Sequence, residues 1–333
     1  MREYRFDVAR VVCMTYIVAF MHLYAYIYPE GRVTFYIPAC VTMTDACLGL
    51  FTFISCYLLG KKYVFGKQGN CDWWSFYKKR LLRIIPLFII ASLVLWLIDF
   101  NGISPTKNGI LCISPFVNPK PRTLWYIPVI LWCYLITPIV SRNSLIWRLS
   151  SSLCLFVLVL VMRYIFPSVD GRLIFNLFFY LAGVLFASYT GGKFYGPYGK
   201  FYKVFYVLFF VLLVAFALYY SYLNRPSFIY AVGGVGVFAL LFVSEGICKF
   251  IYGQQRNSQS PVRNLVSRIV EYVSYASMAC YMFHRFFYWL AETVGTPSDT
   301  TLKWLYMAGF IYPVIILLSY VIQRVYDTLV KKI

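Results

Sequence analysis

Tyr77-Lys78-Lys79-Arg80-Leu81-Leu82-Arg83-Ile84-Ile85-Pro86-Leu87-Phe88-Ile89-Ile90-Ala91-Ser92-Leu93-Val94-Leu95-Trp96-Leu97-Ile98-Asp99-Phe100 decides the fold class. Its cations stand directly before an apolar run whose next charge is Asp99. A run of roughly 17–25 apolar residues crosses a bilayer as a helix. Backbone groups in hydrocarbon must be satisfied within the segment, so such a run is helical. Trp73, Trp74, Phe76 and Tyr77 lead into the cations, a composition suited to a helix lying at the membrane interface.

Similar runs recur on both sides of this one. The expected spans are Val8–Tyr28, Tyr36–Gly60, Ile84–Phe100, Leu124–Val140, Leu149–Phe166, Leu173–Tyr189, Val204–Leu223, Phe228–Phe250, Val273–Val294 and Leu302–Tyr326. The sequence therefore predicts an all-α, polytopic transmembrane helix bundle of about ten spans, in one integral membrane domain over residues 1–333. Strand-like alternation is missing, which excludes a membrane β-barrel. With the N-terminus inside, Lys and Arg favour the cytoplasmic segments by about three to one, which predicts both termini inside. The first span carries Asp7, Arg10 and His22 without a small-residue cleavage site, and reads as retained rather than as a signal peptide.

Composition agrees. Of 333 residues 61% are hydrophobic and only 13% charged, against about 25% charged in an ordinary soluble domain. The net charge of +19 does not indicate nucleic acid, because the cations sit between apolar runs and suit anionic lipid headgroups. The ten cysteines lie singly with no Cys-x-x-Cys, and there are two histidines, so neither a disulfide frame nor a zinc site is expected. The outer segment Asn101–Thr123, with four prolines, reads as a folded lid or cap.

Ionisable groups inside spans point to function, because burying them in lipid is costly. His22 lies about 9 Å and Asp45 about 13 Å below the outer surface, at 1.5 Å rise per residue. Arg163, His284 and Arg285 fall at middle or outer depths, so the five suggest a polar, water-accessible cavity. His22 is the candidate general base or acyl acceptor, with Asp45 to hold its tautomer. An interior histidine satisfied by a hydrogen bond is the alternative. Arg80 and Arg83 share a helix face at the inner interface, where two guanidinium forks suit either a phosphate-bearing cytosolic ligand or lipid headgroups.

The order of these features resembles the membrane acyltransferase 3 family. Phe6-Asp7-Val8-Ala9-Arg10 followed by His22-Leu23 resembles the family's first span, and Leu50 to Leu59 its second-span motif. Tyr77 to Pro86 is similar to its Arg-x-x-Arg segment before a proline. Leu124-Trp125-Tyr126-Ile127-Pro128, Tyr180-Leu181-Ala182-Gly183 and Ser274-Tyr275-Ala276-Ser277 through His284 follow in the family's order. Two departures stand out. Cys56 replaces the glycine of the second-span motif, and eleven residues rather than ten separate Arg10 from His22. In a regular helix the usual spacing is ~20° off alignment and twelve steps ~120° off. Either a bulge restores the register, or Arg10 points elsewhere.

The resemblance implies an acyltransferase of the bacterial cytoplasmic membrane that moves an acyl group, acetyl being expected, from cytosolic acyl-coenzyme A to a hydroxyl of a surface or lipid-linked sugar. No tightly bound cofactor is implied; acyl-coenzyme A is the donor substrate, and the partners are that donor, a carbohydrate or glycolipid acceptor and membrane lipids. Arg10, Arg80 and Arg83 would bind the donor. Trp125, Tyr126, Arg163, His284 and Arg285 would line the path of the substrate and His22 would carry the chemistry; Asp45, as the group that orients His22, comes from the reading of the residues and not from the resemblance. The rival class is a transporter or flippase for a lipid-linked sugar or small polar solute. It would need internal repeats with interrupted helices in matching places, and no such duplication is visible.

Overall fold

The computed structural model describes residues 4–28, 36–64, 73–98, 124–141, 144–167, 169–189, 225–252 and 261–330. These residues are helical, with no strand among them. The helices are α1 (Tyr4–Ile27), α2 (Tyr36–Val64), α3 (Trp73–Leu97), α4 (Tyr126–Val140), α5 (Leu145–Ile165), α6 (Gly171–Tyr189), α7 (Arg225–Tyr252), α8 (Pro261–Val294) and α9 (Thr300–Val330). Seven helices among the described residues are long and apolar enough to cross a membrane. The expected span Leu124–Val140 is α4, a shorter apolar helix of 15 residues. Val273–Val294 forms the second part of α8, which runs for 34 residues and mixes charge with apolar side chains. The expected span Val204–Leu223 and the proline-rich segment Asn101–Thr123 lie outside the described residues. The interface helix expected ahead of Ile84 is not separate: α3 runs unbroken from Trp73 through Pro86.

Contacts divide the chain into two compact units, one of Met1–Cys47, Pro86–Phe100 and Ala239–Ile333, the other of Leu48–Ile85 and Asn101–Phe238. In the first unit α8 packs along both α9 and α1. Val8, Ile251 and Val270 form an apolar cluster there, joined by Val11, Val12, Ile247 and Val266. Polar ties reinforce it: the Thr15 and Tyr312 hydroxyls lie 2.9 Å apart, and the Tyr275 hydroxyl donates to Asp327 at 2.6 Å.

In the second unit α4, α5 and α6 pack on one another. A Cβ on Gly183 of α6 would lie 2.6 Å from the Phe53 carbonyl and 3.1 Å from the Cys56 Cβ of α2, and one on Gly60 would lie 2.9 Å from the Ala187 Cβ. Small residues four apart on both helices let the backbones touch. Cys56, which stands where the second-span motif has glycine, thus meets a glycine on the facing helix. By contrast α5 is turned inside out. Its buried residues are Arg148 and Ser152, while Leu149, Leu153 and Val157 are exposed. Apolar side chains pointing outward are what a lipid-facing helix requires.

Among the described residues, two helices contain π-helical stretches, Tyr16–His22 in α1 and Met307–Ile311 in α9. The second has a local cause, since Pro313 has no N–H to continue the α ladder. The first contains no proline and lies against α8.

Candidate active site

His22 is the last residue of the π stretch in α1, and His284 sits in the long helix α8 beside it. His22 Nδ1 lies 2.6 Å from His284 Nε2. The ring planes differ by 2° and the centroids are 4.7 Å apart. So short an N···N distance between parallel rings means an edge-to-edge hydrogen bond in a common plane, not face-to-face stacking. His284 is fully buried, and its Nδ1 faces the carbonyls of Cys280 at 3.1 Å and Tyr281 at 2.8 Å. Carbonyls only accept, so His284 Nδ1 carries the hydrogen and, in the neutral ring, Nε2 is an acceptor. His22 Nδ1–H then donates to it, which leaves the lone pair of His22 on Nε2. The pair has the logic of a base and its orienter, with a second imidazole in the place where a carboxylate often stands.

Asp45 does not hold that place. It is buried at 3% exposure in the same unit, but the hydrogen-bond partner of the His22 ring is His284. The expectation paired two residues by depth, and depth alone does not fix the faces of two helices.

Arg285 and Tyr288 complete the surroundings. The Arg285 guanidinium donates to the His22 carbonyl at 3.2 Å and lies 5.5 Å from the Tyr26 ring centroid. The Tyr288 hydroxyl donates to the Val18 carbonyl at 3.1 Å, and its ring meets the His284 ring edge-on. Tyr26 donates to the Arg285 carbonyl at 3.0 Å, while Lys303, paired with Glu292 at 2.8 Å, donates to the Tyr26 carbonyl. Neither Tyr26 nor Tyr288 stands out in the sequence. Tyr288 is four residues from His284 and so shares its helix face, which is the signal that points to it.

Arg10 lies in the same unit, near the start of α1. Its guanidinium is 3.4 Å from the Asp7 carboxylate, which also accepts from the Ser274 hydroxyl of α8 at 2.6 Å. The π stretch between Arg10 and His22 absorbs about one residue, so twelve steps turn the helix as eleven would, bringing the pair back to ~20°. Of the two alternatives left open by the spacing, the bulge is present.

The other candidates belong to the second unit. The Trp125 face is covered by the Arg172 guanidinium at 4.3 Å, which is itself paired with Asp170. The Thr52 hydroxyl lies 3.2 Å from the Tyr126 hydroxyl and 2.9 Å from Asn176 Oδ1. Arg80 is half-buried, 5.7 Å from the Tyr134 ring, and Arg83 is exposed. Arg163 departs from its expected place in a shared polar cavity. It is exposed, and donates to the carbonyls of Pro167 and Val169 just past its own helix. The guanidinium thus ties the end of α5 to the turn that leads into α6. No group of His, Cys, Asp or Glu suited to a metal ion occurs among the described residues.

Comparison with known proteins bears on what this site does. No curated protein and no solved structure matches the chain. Residues 3–324 do match a family profile described as an acyltransferase domain, the acyltransferase 3 family anticipated from the sequence motifs. A match over almost the whole chain, on a bundle of apolar helices with a histidine pair inside, makes the protein a membrane acyltransferase belonging to that family.

Proposed function

We propose that the protein moves an acyl group, acetyl in the simplest case, from acyl-coenzyme A to a hydroxyl of a surface or lipid-linked sugar at the bacterial cytoplasmic membrane. The observation that supports this best is the His22–His284 hydrogen bond, which leaves His22 Nε2 as the free basic nitrogen. That nitrogen takes the proton of the acceptor hydroxyl as the oxygen attacks the thioester carbonyl. The C–O bond forms, the C–S bond breaks, and the proton passes from His22 to the departing coenzyme A sulfur. The positive charge that His22 carries meanwhile is shared along its 2.6 Å bond with His284. Arg80 and Arg83, three apart on α3, serve the donor's phosphates as charge-assisted forks. Arg10, held by Asp7, is a further donor contact in this reading.

The test is turnover of labelled acetyl-coenzyme A by the purified protein in lipid nanodiscs, with and without a sugar acceptor. His22→Ala should lose coenzyme A release while remaining monodisperse. Unchanged turnover in that variant would return His22 to a purely structural role.

A further inference from the structure

We infer that Tyr288 and Arg285 are positioning residues that hold the first helix in its π form and thereby turn His22 toward His284. The inference rests on the reading of His22 as the base. A π turn is a poor competitor of the α turn and survives where something holds it. Nothing within Tyr16–His22 does so, because the stretch has no proline and no glycine. The hold comes from outside, at two carbonyls of the stretch: Val18 O accepts from the Tyr288 hydroxyl at 3.1 Å, and His22 O from Arg285 at 3.2 Å. Both donors sit on α8, within one turn of His284. One helix thus supplies the hydrogen-bond partner of the base and the donors that set where the base points.

The consequence is angular. If residues 16–22 relaxed to a regular α-helix, His22 would rotate about the helix axis by one residue, ~100°. A bond of 2.6 Å between ring nitrogens does not survive such a turn. The Tyr288 side chain is fully buried, so its hydroxyl has no solvent to turn to when the carbonyl leaves. Two states follow, with His22 engaged or disengaged, and Tyr288 and Arg285 select the engaged one.

Shortening the stretch by one residue tests this, since deleting Ala19 removes the residue the π turn has to absorb. In the full-length protein, Tyr288→Phe should lower kcat about ten-fold and leave KM for acetyl-coenzyme A within about two-fold, as expected for a lost buried hydrogen bond. In the Ala19-deleted protein a regular helix carries His22 to the same face, and Tyr288→Phe should then cost less than about two-fold. A tyrosine that only fills space would cost the same in both backgrounds, and that result overturns the inference. A readout independent of turnover accompanies it: the yield, by mass spectrometry, of the cross-link that a bis-methanethiosulfonate with a one-carbon spacer forms between cysteines introduced as His22→Cys and His284→Cys, whose Cβ atoms stand too far apart for a direct disulfide. Tyr288→Phe should lower that yield in the full-length chain, and an unchanged yield also overturns the inference. If the wild-type protein turns over no acetyl-coenzyme A, the acyl-transfer reading fails, and the cross-link alone decides the clamp. If the deleted protein is not monodisperse, the full-length cross-link comparison decides it as well.

Discussion

Replacing His284 by phenylalanine keeps a planar ring of similar size in a fully buried position and removes both nitrogens. The His22 Nδ1–H then loses the acceptor that lies 2.6 Å away. A buried donor left without its partner costs about 1–3 kcal/mol. His22 is also free to move its hydrogen to Nε2, the nitrogen the reaction needs empty. Both effects fall on the chemical step, where 1.36 kcal/mol is a factor of ten, so kcat should drop about 5- to 150-fold. In the proposed reading the donor's phosphates are held by Arg10, Arg80 and Arg83 and not by His284, so KM for acetyl-coenzyme A should stay within about two-fold. The assay is single-turnover release of coenzyme A by chromatography, with donor affinity from equilibrium binding. His284→Gln should recover part of the loss, because its amide oxygen accepts from His22 Nδ1–H. Wild-type kcat in the phenylalanine variant, or a Gln variant as slow as the phenylalanine one, would refute the orienting role.

Two further outcomes are expected. Replacing Arg80 and Arg83 together with Gln should raise KM for the donor about ten-fold per residue, at about 1.5–3 kcal/mol for each charge-assisted bond, and leave acceptor KM unchanged; an unchanged donor KM in the steady-state assay would assign the pair to lipid headgroups. Gly183→Ala should destabilise the protein by about 1–3 kcal/mol, because the new methyl would lie 2.6 Å from the Phe53 carbonyl, a backbone atom that cannot swing aside; its melting temperature in detergent should fall, and an unchanged one would mean the helices separate freely.

The helical membrane architecture was legible because hydrophobic length and charge placement are one-dimensional signals. The run after Arg83 announces a span whatever its neighbours do, and α3 follows it. Site residues depend on which faces meet, which length cannot give. His22 and His284 were both singled out, yet the sequence paired His22 with Asp45, because a carboxylate is the commoner companion and both lie in spans near the same surface. The spacing of Arg10 and His22 carried more, since ~120° of misalignment left a choice between a defect in the helix and an Arg10 that points elsewhere, and the π stretch is there. Arg163 misled because depth in a span was taken for exposure to a cavity, whereas an arginine near a helix end can bind the carbonyls of the turn that follows it. Tyr288 escaped notice because tyrosine is among the most frequent residues in this chain, 31 in all, so only its spacing from His284 separates it from the rest.

The inverted face of α5 has a practical consequence for handling the protein. Only 11% of its apolar window is covered by the chain, against 61% for the window of α2. One side of it is tied to the bundle, by the Trp147 indole on the Ile139 carbonyl at 2.9 Å and by Phe156 against Phe178 of α6 at 5.9 Å between ring centroids. The other side presents apolar side chains outward, where the acyl chains of surrounding lipid would complete its packing. Harsh delipidation should loosen α5 before any helix of the first unit, so a nanodisc, rather than a small micelle, is the environment in which this bundle keeps its full set of neighbours.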